Sequence, residues 1–80
     1  MLELSDHIAA NVRAERARKR WRQVDLAEAM GISAATVSDL EAGKRKVSTN
    51  DLVPLCRALG ITMSDLVRGA EVQDLLVLGL

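Results

Sequence analysis

The stretch QVDLAEAMGISAATVSDLEAGKRK, residues 23–46, predicts two short helices separated by a tight turn. Leu26, Ala27 and Met30 lie at helical spacing, and Gly31 then ends the first helix, because glycine adopts the left-handed conformation that follows a helix. Ser33 is a favourable N-cap for the second helix, which we expect to end at Gly43. The inward positions of this second helix are 37, 40 and 41.

Three further helices are predicted around this pair. Helix 1 begins after Ser5 and runs to about residue 19, and helix 5 is short and capped by Thr62. Ser48 and Asp51 resemble a capping box that would begin helix 4 at residue 49 and leave Pro54 inside it. A later start of helix 4 would reduce that cost, so both starts remain open. The class is therefore all-α, and two helices joined by a turn such as residues 31–33 are typical of a helix-turn-helix, although antiparallel helical hairpins use similar turns.

The formal net charge of zero conceals two short basic regions. Residues 13–22 hold six cations against the single anion Glu15, and residues 44–46 add three more. Positive charge concentrated in this way is typical of a surface that binds a polyanion. The alternative is that these cations are solvated and stabilise helix ends through the helix dipole.

Composition excludes several classes of protein. No apolar run is long enough to cross a membrane, and the N-terminus resembles no signal peptide. A single cysteine cannot form an internal disulfide, which fits a cytoplasmic location. We identify no phosphate-binding loop, metal-ligand cluster or nucleophile–base set, so we expect no enzyme activity, no cofactor and no small-molecule ligand.

The sequence resembles the phage-repressor type of helix-turn-helix domain, the lambda-repressor-like or XRE family. The matching positions are Gln23, Leu26, Ala27, Gly31, Ile32, Ser33, Val37, Ser38, Leu40, Glu41, Gly43 and Lys44. The later segment RALGITMSDL, residues 57–66, fits the same pattern, and the resemblance spans about residues 8–68. It implies a compact five-helix domain with the helix-turn-helix at helices 2 and 3. It also implies sequence-specific binding of double-stranded DNA with helix 3 in the major groove, commonly as a dimer on a palindromic operator.

Two positions depart from the family pattern. Family members commonly have Gly or Asn where this chain has Arg20, and Ser or Thr as the cap of helix 2 where it has Arg22. We expect both changes to add positive charge near DNA and to weaken local capping.

Arg16 and Glu41 are predicted to form a structural ion pair. Arg16 continues the stripe of Ile8 and Val12 on helix 1, and Glu41 lies four residues after Val37 on helix 3. A lone buried charge costs several kcal/mol, so each of the two needs a partner. The resemblance implies the same pairing, and Glu41 would then not contact DNA.

The outward positions of helix 3 are the predicted base contacts: Ala34, Ala35, Ser38 and Asp39. Alanine methyl groups suit thymine, and a carboxylate can accept a hydrogen bond from the cytosine amino group. For Asp39 the alternatives are a solvated residue or one held by a neighbouring arginine. Contacts to the DNA backbone are predicted for Arg22, Gln23, Ser33, Thr36, Lys44, Arg45 and Lys46.

Residues 1–69 form the predicted DNA-binding domain, and residues 70–80 form an apolar tail. The tail contributes the candidate dimerisation residues Leu75, Leu76, Val77, Leu78 and Leu80. The alternative is that the tail packs back on its own domain.

The predicted function is a homodimeric transcription regulator, a repressor of phage or mobile-element type. A restriction–modification controller and an antitoxin-type operon autoregulator are alternatives within the same class. A protein-interaction module without sequence-specific DNA binding is the alternative from another class.

Overall fold

Five helices follow one another in the computed structural model, which describes residues 4–45 and 47–69. They are α1 (Leu4–Arg18), α2 (Gln23–Met30), α3 (Ala34–Glu41), α4 (Thr49–Leu59) and α5 (Met63–Leu66). No strand occurs in these two ranges, so the predicted all-α, five-helix class is confirmed. Lys46 and the predicted tail, 70–80, lie outside the described residues.

The core is built from one apolar stripe on each helix. These residues are Ile8, Val12, Leu26, Ala27, Val37, Leu40, Leu52, Leu55, Leu59, Leu66 and Val67. Helix α2 packs against α3 and α4, and α1 packs against α3, α4 and α5. Full burial of a leucine or isoleucine side chain contributes about 1.5–3 kcal/mol, so these stripes supply most of the stabilisation. Helices of eight residues such as α2 and α3 need this packing because they are too short to persist alone in water.

Helix α4 begins at Thr49, and the later start is therefore wrong. The carboxylate of Asp51 accepts hydrogen bonds from the backbone N–H of Ser48 at 2.9 Å and from its hydroxyl at 3.1 Å. Pro54 lies inside the helix and lacks the N–H that would bond to the residue 50 carbonyl. The helix tolerates this loss because three of its leucines are buried in the core: Leu52, Leu55 and Leu59.

An aspartate caps the first turn of α2, of α4 and of α5. Asp25 and Asp65, like Asp51, accept a hydrogen bond from the backbone N–H three residues earlier, at 2.7 and 3.2 Å. The expectation that Arg22 weakens the cap of α2 is confirmed, because its side chain accepts no hydrogen bond from the first turn. Arginine has no acceptor, but Asp25 satisfies the Arg22 N–H and places a negative charge at the positive end of the helix.

Acid should unfold the protein partly through these three aspartates. Hydrogen bonds from the backbone and side chain of Arg22 lower the pKa of Asp25, and those of Thr62 lower the pKa of Asp65. Burial raises the pKa of Asp51, but hydrogen bonds from Ser48 and Arg45 outweigh it and lower the pKa overall. A lowered pKa in the folded state means that the unfolded chain binds protons first, so stability falls as the pH drops below about 4.

We expect thermal melts to show a decreasing melting temperature below about pH 4. The variant Asp51→Asn keeps an oxygen acceptor but cannot titrate, so its acid dependence should be shallower than that of the wild type. Identical acid dependence in both proteins would contradict a contribution from this cap.

Arg20 adopts the left-handed conformation, with φ of 58°, directly after α1. The Trp21 N–H donates to the Arg16 carbonyl and the Arg20 N–H to the Ala17 carbonyl, both at 3.0 Å, which is a Schellman motif. Gly31 is the corresponding residue after α2, with φ of 70°. An L-residue with a side chain costs roughly 1–2 kcal/mol in this conformation, and glycine does not. The family departure at position 20 therefore introduces backbone strain rather than a lost cap.

The variant Arg20→Gly should raise the free energy of unfolding by about 0.5–1 kcal/mol, because relief of strain exceeds the added entropy of the unfolded glycine. Chemical denaturation provides the measurement. Arg20→Ala is the control, since alanine retains the strain, and we expect it to stay within about 0.5 kcal/mol of wild type. A less stable glycine variant would refute the assignment.

Asn11 attaches the end of α5 to α1. Its amide Nδ2 donates to the carbonyls of Leu66 and Arg68, each at 2.8 Å. The first carbonyl belongs to the last residue of α5 and the second lies just beyond the helix, so both would otherwise lack an intrahelical donor. Sequence patterns do not reveal this role, because the contact joins residues more than 50 positions apart.

Candidate nucleic-acid interface

Glu41 lies at the end of α3 with 3% of its side chain exposed. The Arg16 Nε donates to Oε2 of Glu41 at 2.8 Å, and Nη2 donates to Oε1 at 3.0 Å, so the guanidinium binds the carboxylate with two parallel bonds. The ion pair predicted from the sequence is therefore present. It connects α1 to α3 and leaves Glu41 facing away from solvent.

Two further bonds extend this ion pair. The Arg16 Nη1 donates to the Trp21 carbonyl at 2.8 Å, and the Gln23 amide donates to Oε1 of Glu41 at 3.3 Å. The hydrogen bond to Glu41 raises the pKa of Arg16 against the opposing effect of burial, and the negative charge of Glu41 adds to the increase. Because Gln23 is the first residue of α2, these bonds fix the position of α3 relative to both α1 and α2.

Replacement of Glu41 by Ala should lower the free energy of unfolding by about 2–4 kcal/mol, since Arg16 and Gln23 would lose their acceptor in a largely buried site. Asp39→Ala, an exposed carboxylate on the same helix, should change stability by less than about 0.5 kcal/mol. Urea denaturation compares the two variants. A loss below about 0.5 kcal/mol for Glu41→Ala would show that the pair is worth no more than an exposed one.

The exposed face of α3 consists of Ala35, Ser38, Asp39 and Ala42. These positions follow the helical spacing i, i+3, i+4 and i+7, so their side chains share one side of the helix. Ala34 is a correction to the predicted outward set. It precedes Val37 by three residues on the inward stripe, and it is partly buried against the core.

The carboxylate of Asp39 has no hydrogen bond or ion pair with any of the residues that the structure describes. The alternative in which a neighbouring arginine holds Asp39 is thus not what residues 4–45 and 47–69 show. Its carboxylate is exposed and available to a donor outside the chain.

Ser33 and Thr36 interact with each other at the start of α3. The Ser33 hydroxyl accepts the Thr36 N–H at 3.1 Å, and the two hydroxyl oxygens lie 2.8 Å apart. One of the two hydroxyl protons joins the oxygens, which leaves the other free to donate. Both predicted backbone contacts are therefore located at the N-terminus of α3 with donor capacity remaining.

The predicted flanking cations differ in whether a carboxylate of the same chain already pairs with them. Arg22 is 80% exposed with its Nε 3.4 Å from Asp25, and Arg45 lies 3.2 Å from Asp51. Lys44 is exposed and has no carboxylate within ion-pair distance in the described ranges. Exposed ion pairs contribute at most about 1 kcal/mol, so a phosphate can replace either carboxylate.

Gln23 has a structural role that sequence reasoning missed. Its side-chain amide is bonded to Glu41, so a phosphate contact by this residue would use its backbone N–H in the first turn of α2. The i, i+3 and i+4 spacing of residues within one helix could not reveal this contact, because the contact depends on the angle between α2 and α3.

The described residues hold no group of three or more His, Cys, Asp or Glu side chains that could bind a metal ion. No helix among them is long and apolar enough to cross a membrane.

Comparisons with known proteins place this geometry in context. The model of a family described as a helix-turn-helix domain matches residues 7–70. The clp gene regulator ClgR from Corynebacterium glutamicum has 35% identity with a TM-score of 0.77, and the match covers 82% of this chain and 86% of the ClgR chain. A search of curated proteins gave no match.

Two other solved structures are similar. The hypothetical transcription factor NHTF from Neisseria has 28% identity with a TM-score of 0.77, and the match covers 95% of this chain and 85% of NHTF. The restriction–modification controller protein C.AhdI from Aeromonas hydrophila has 29% identity with a TM-score of 0.72, and the match covers 78% of this chain and 94% of C.AhdI.

Proposed function

The chain belongs to the helix-turn-helix domain family, and from this premise we propose that it is a sequence-specific DNA-binding transcription regulator. Helices α2 and α3, with the turn at residues 31–33, act as the helix-turn-helix, and α3 enters the major groove. The similar solved structures, one named as a gene regulator and one as a restriction–modification controller protein, support this class rather than an enzyme.

The observation that carries the proposal is the exposed face of α3. Its small side chains let the helix backbone approach the base edges closely, and the unpaired carboxylate of Asp39 is the one anion on this face. Ala35 offers a methyl group to thymine, Ser38 a hydroxyl to any base, and Asp39 an acceptor to the cytosine amino group. Because this face has few long side chains, DNA shape and bridging water molecules contribute a large share of the sequence recognition.

Affinity comes from contacts to the DNA backbone on both sides of this face. The contributing residues are Arg22, Gln23, Ser33, Thr36, Lys44, Arg45 and Lys46. Each phosphate that a cation neutralises releases counterions, so binding should weaken steeply as salt concentration increases.

We further propose that residues 1–69 form the DNA-binding domain and that the regulator is a homodimer. Residues 70–80 are rich in leucine, and a single exposed face as small as that of α3 reads few bases. Two copies would place their α3 helices about 34 Å apart on a palindromic operator. The function that we propose in more detail is a cytoplasmic repressor of phage or mobile-element type. The likeness to C.AhdI supports the alternative of a restriction–modification controller.

Selection from random DNA, followed by mass measurement of the complex, tests the proposal. We expect an enriched motif with two-fold symmetry and two protein chains per duplex. Selection that returns no motif would refute sequence-specific binding and favour a protein-interaction module. A motif without symmetry, bound by one chain, would refute only the dimer.

The variant Asp39→Ala should remove the preference for cytosine at one position of each half-site, at a cost of about 1–3 kcal/mol in discrimination. Selection with the variant, compared with wild type, measures the change. Glu28→Ala is the control, because it removes an exposed carboxylate from α2 rather than α3 and should leave the motif unchanged. An unchanged motif for Asp39→Ala would show that Asp39 does not contribute to base recognition.

A further inference from the structure

Arg13 reaches from α1 to the end of α3. Its Nη1 donates a hydrogen bond to the backbone carbonyl of Glu41, the last residue of that helix. This carbonyl is among the last four of α3, which have no donor within the helix. Arg13 thus caps the C-terminus of the proposed recognition helix, although it lies 28 residues earlier in the chain.

Arg13 also keeps its positive charge unpaired. Five arginines of the described ranges each lie within ion-pair distance of a carboxylate: Arg16, Arg18, Arg22, Arg45 and Arg68. For Arg13 no such carboxylate occurs in residues 4–45 and 47–69. The side chain is exposed, so the charge faces solvent rather than the core.

The location of this charge matters because a helix carries partial negative charge at its C-terminus. Without a cation at Glu41, the end of α3 would repel the phosphates that flank a major groove. Arg13 offsets this repulsion next to the segment that contains Lys44, which is also exposed and has no carboxylate within ion-pair distance in residues 4–45 and 47–69. Asp6 lies two turns earlier on α1 with its carboxylate close to Gly43.

We propose that Arg13 is a further DNA backbone contact, in which one guanidinium bridges the Glu41 carbonyl and a phosphate and thereby sets how the C-terminal end of α3 approaches the groove. This inference rests on the proposed DNA-binding function. A guanidinium has five N–H donors, of which Arg13 uses one, so a planar pair of donors remains for two phosphate oxygens. Arg16 is less suited to this role, because three of its five donors are used on Glu41 and Trp21 and its charge is already paired with Glu41.

The test is the variant Arg13→Gln, whose amide can still donate to the Glu41 carbonyl but carries no charge. Dissociation constants are measured from 50 to 300 mM salt on the selected operator and on unrelated duplex DNA. Loss of one phosphate contact should make the slope of log affinity against log salt shallower by about 0.9 for each bound chain. At 0.1 M salt the same loss corresponds to roughly fivefold to tenfold weaker binding per chain on both DNAs.

Two variants serve as controls. Arg57→Gln removes an exposed arginine of α4 that also has no carboxylate within ion-pair distance in the described ranges, and it should leave the slope unchanged. Arg13→Lys keeps the charge and should retain the wild-type slope. Thermal melts of the three variants should agree closely with wild type, since all the substituted side chains are exposed.

An unchanged slope and affinity for Arg13→Gln would overturn the inference. The same loss in Arg57→Gln would also overturn it, because the effect would then come from net charge alone. A slope reduced equally in Arg13→Lys would assign the effect to packing and would overturn it as well. If wild-type protein itself showed no salt-dependent binding, the proposed function would fail, which is a different result from a change confined to Arg13.

Discussion

The buried carboxylate of Glu41 is the interaction on which the rest of the structure depends. An unpaired charge in a protein interior costs several kcal/mol, so the chain must bring donors to this point. Arg16 supplies two hydrogen bonds from α1 and Gln23 supplies one from α2. No buried polar side-chain atom of the described residues lacks a partner. Directional hydrogen bonds of this kind restrict how the first three helices can be arranged more than a purely apolar contact would.

The same constraint orients the surface that we propose for DNA. Helix α3 has eight residues, and its inward stripe of Val37, Leu40 and Glu41 leaves the opposite face to Ala35, Ser38, Asp39 and Ala42. Rotation of α3 by one position would turn Asp39 inward and expose Val37 and Glu41, which both the apolar core and the Arg16 bonds oppose. Specificity of the fold and presentation of the proposed DNA-binding face are therefore two consequences of one short helix. We expect substitutions that weaken the Arg16–Glu41 ion pair to reduce base preference in DNA binding as well as the free energy of unfolding.

Local chemistry explains which parts could be predicted from the sequence. Gly31 ended α2 and Ser33 capped α3 as predicted, because caps and stops depend on residues within one turn. The pairing of Arg16 with Glu41 could be inferred from spacing, since each falls on an apolar stripe. The position of Ala34, the bond from Gln23 and the reach of Arg13 could not, because they depend on the angles between helices. The strain at Arg20 was visible only as a departure from a family pattern.

Charge distribution in this chain reconciles a net charge of zero with a proposed role on DNA. Most arginines are paired with carboxylates of the same molecule, and several of these acids cap helices, as Asp25 and Asp51 do. On DNA, phosphates would compete with these carboxylates for Arg22 and Arg45. Each such exchange contributes less binding free energy than a contact with an unpaired cation, because the existing ion pair is lost. A count of cations therefore overstates the electrostatic affinity. Under the proposed function, specific binding would therefore rely on the cations that are already unpaired, on the close approach of α3, and on the proposed joint action of two copies.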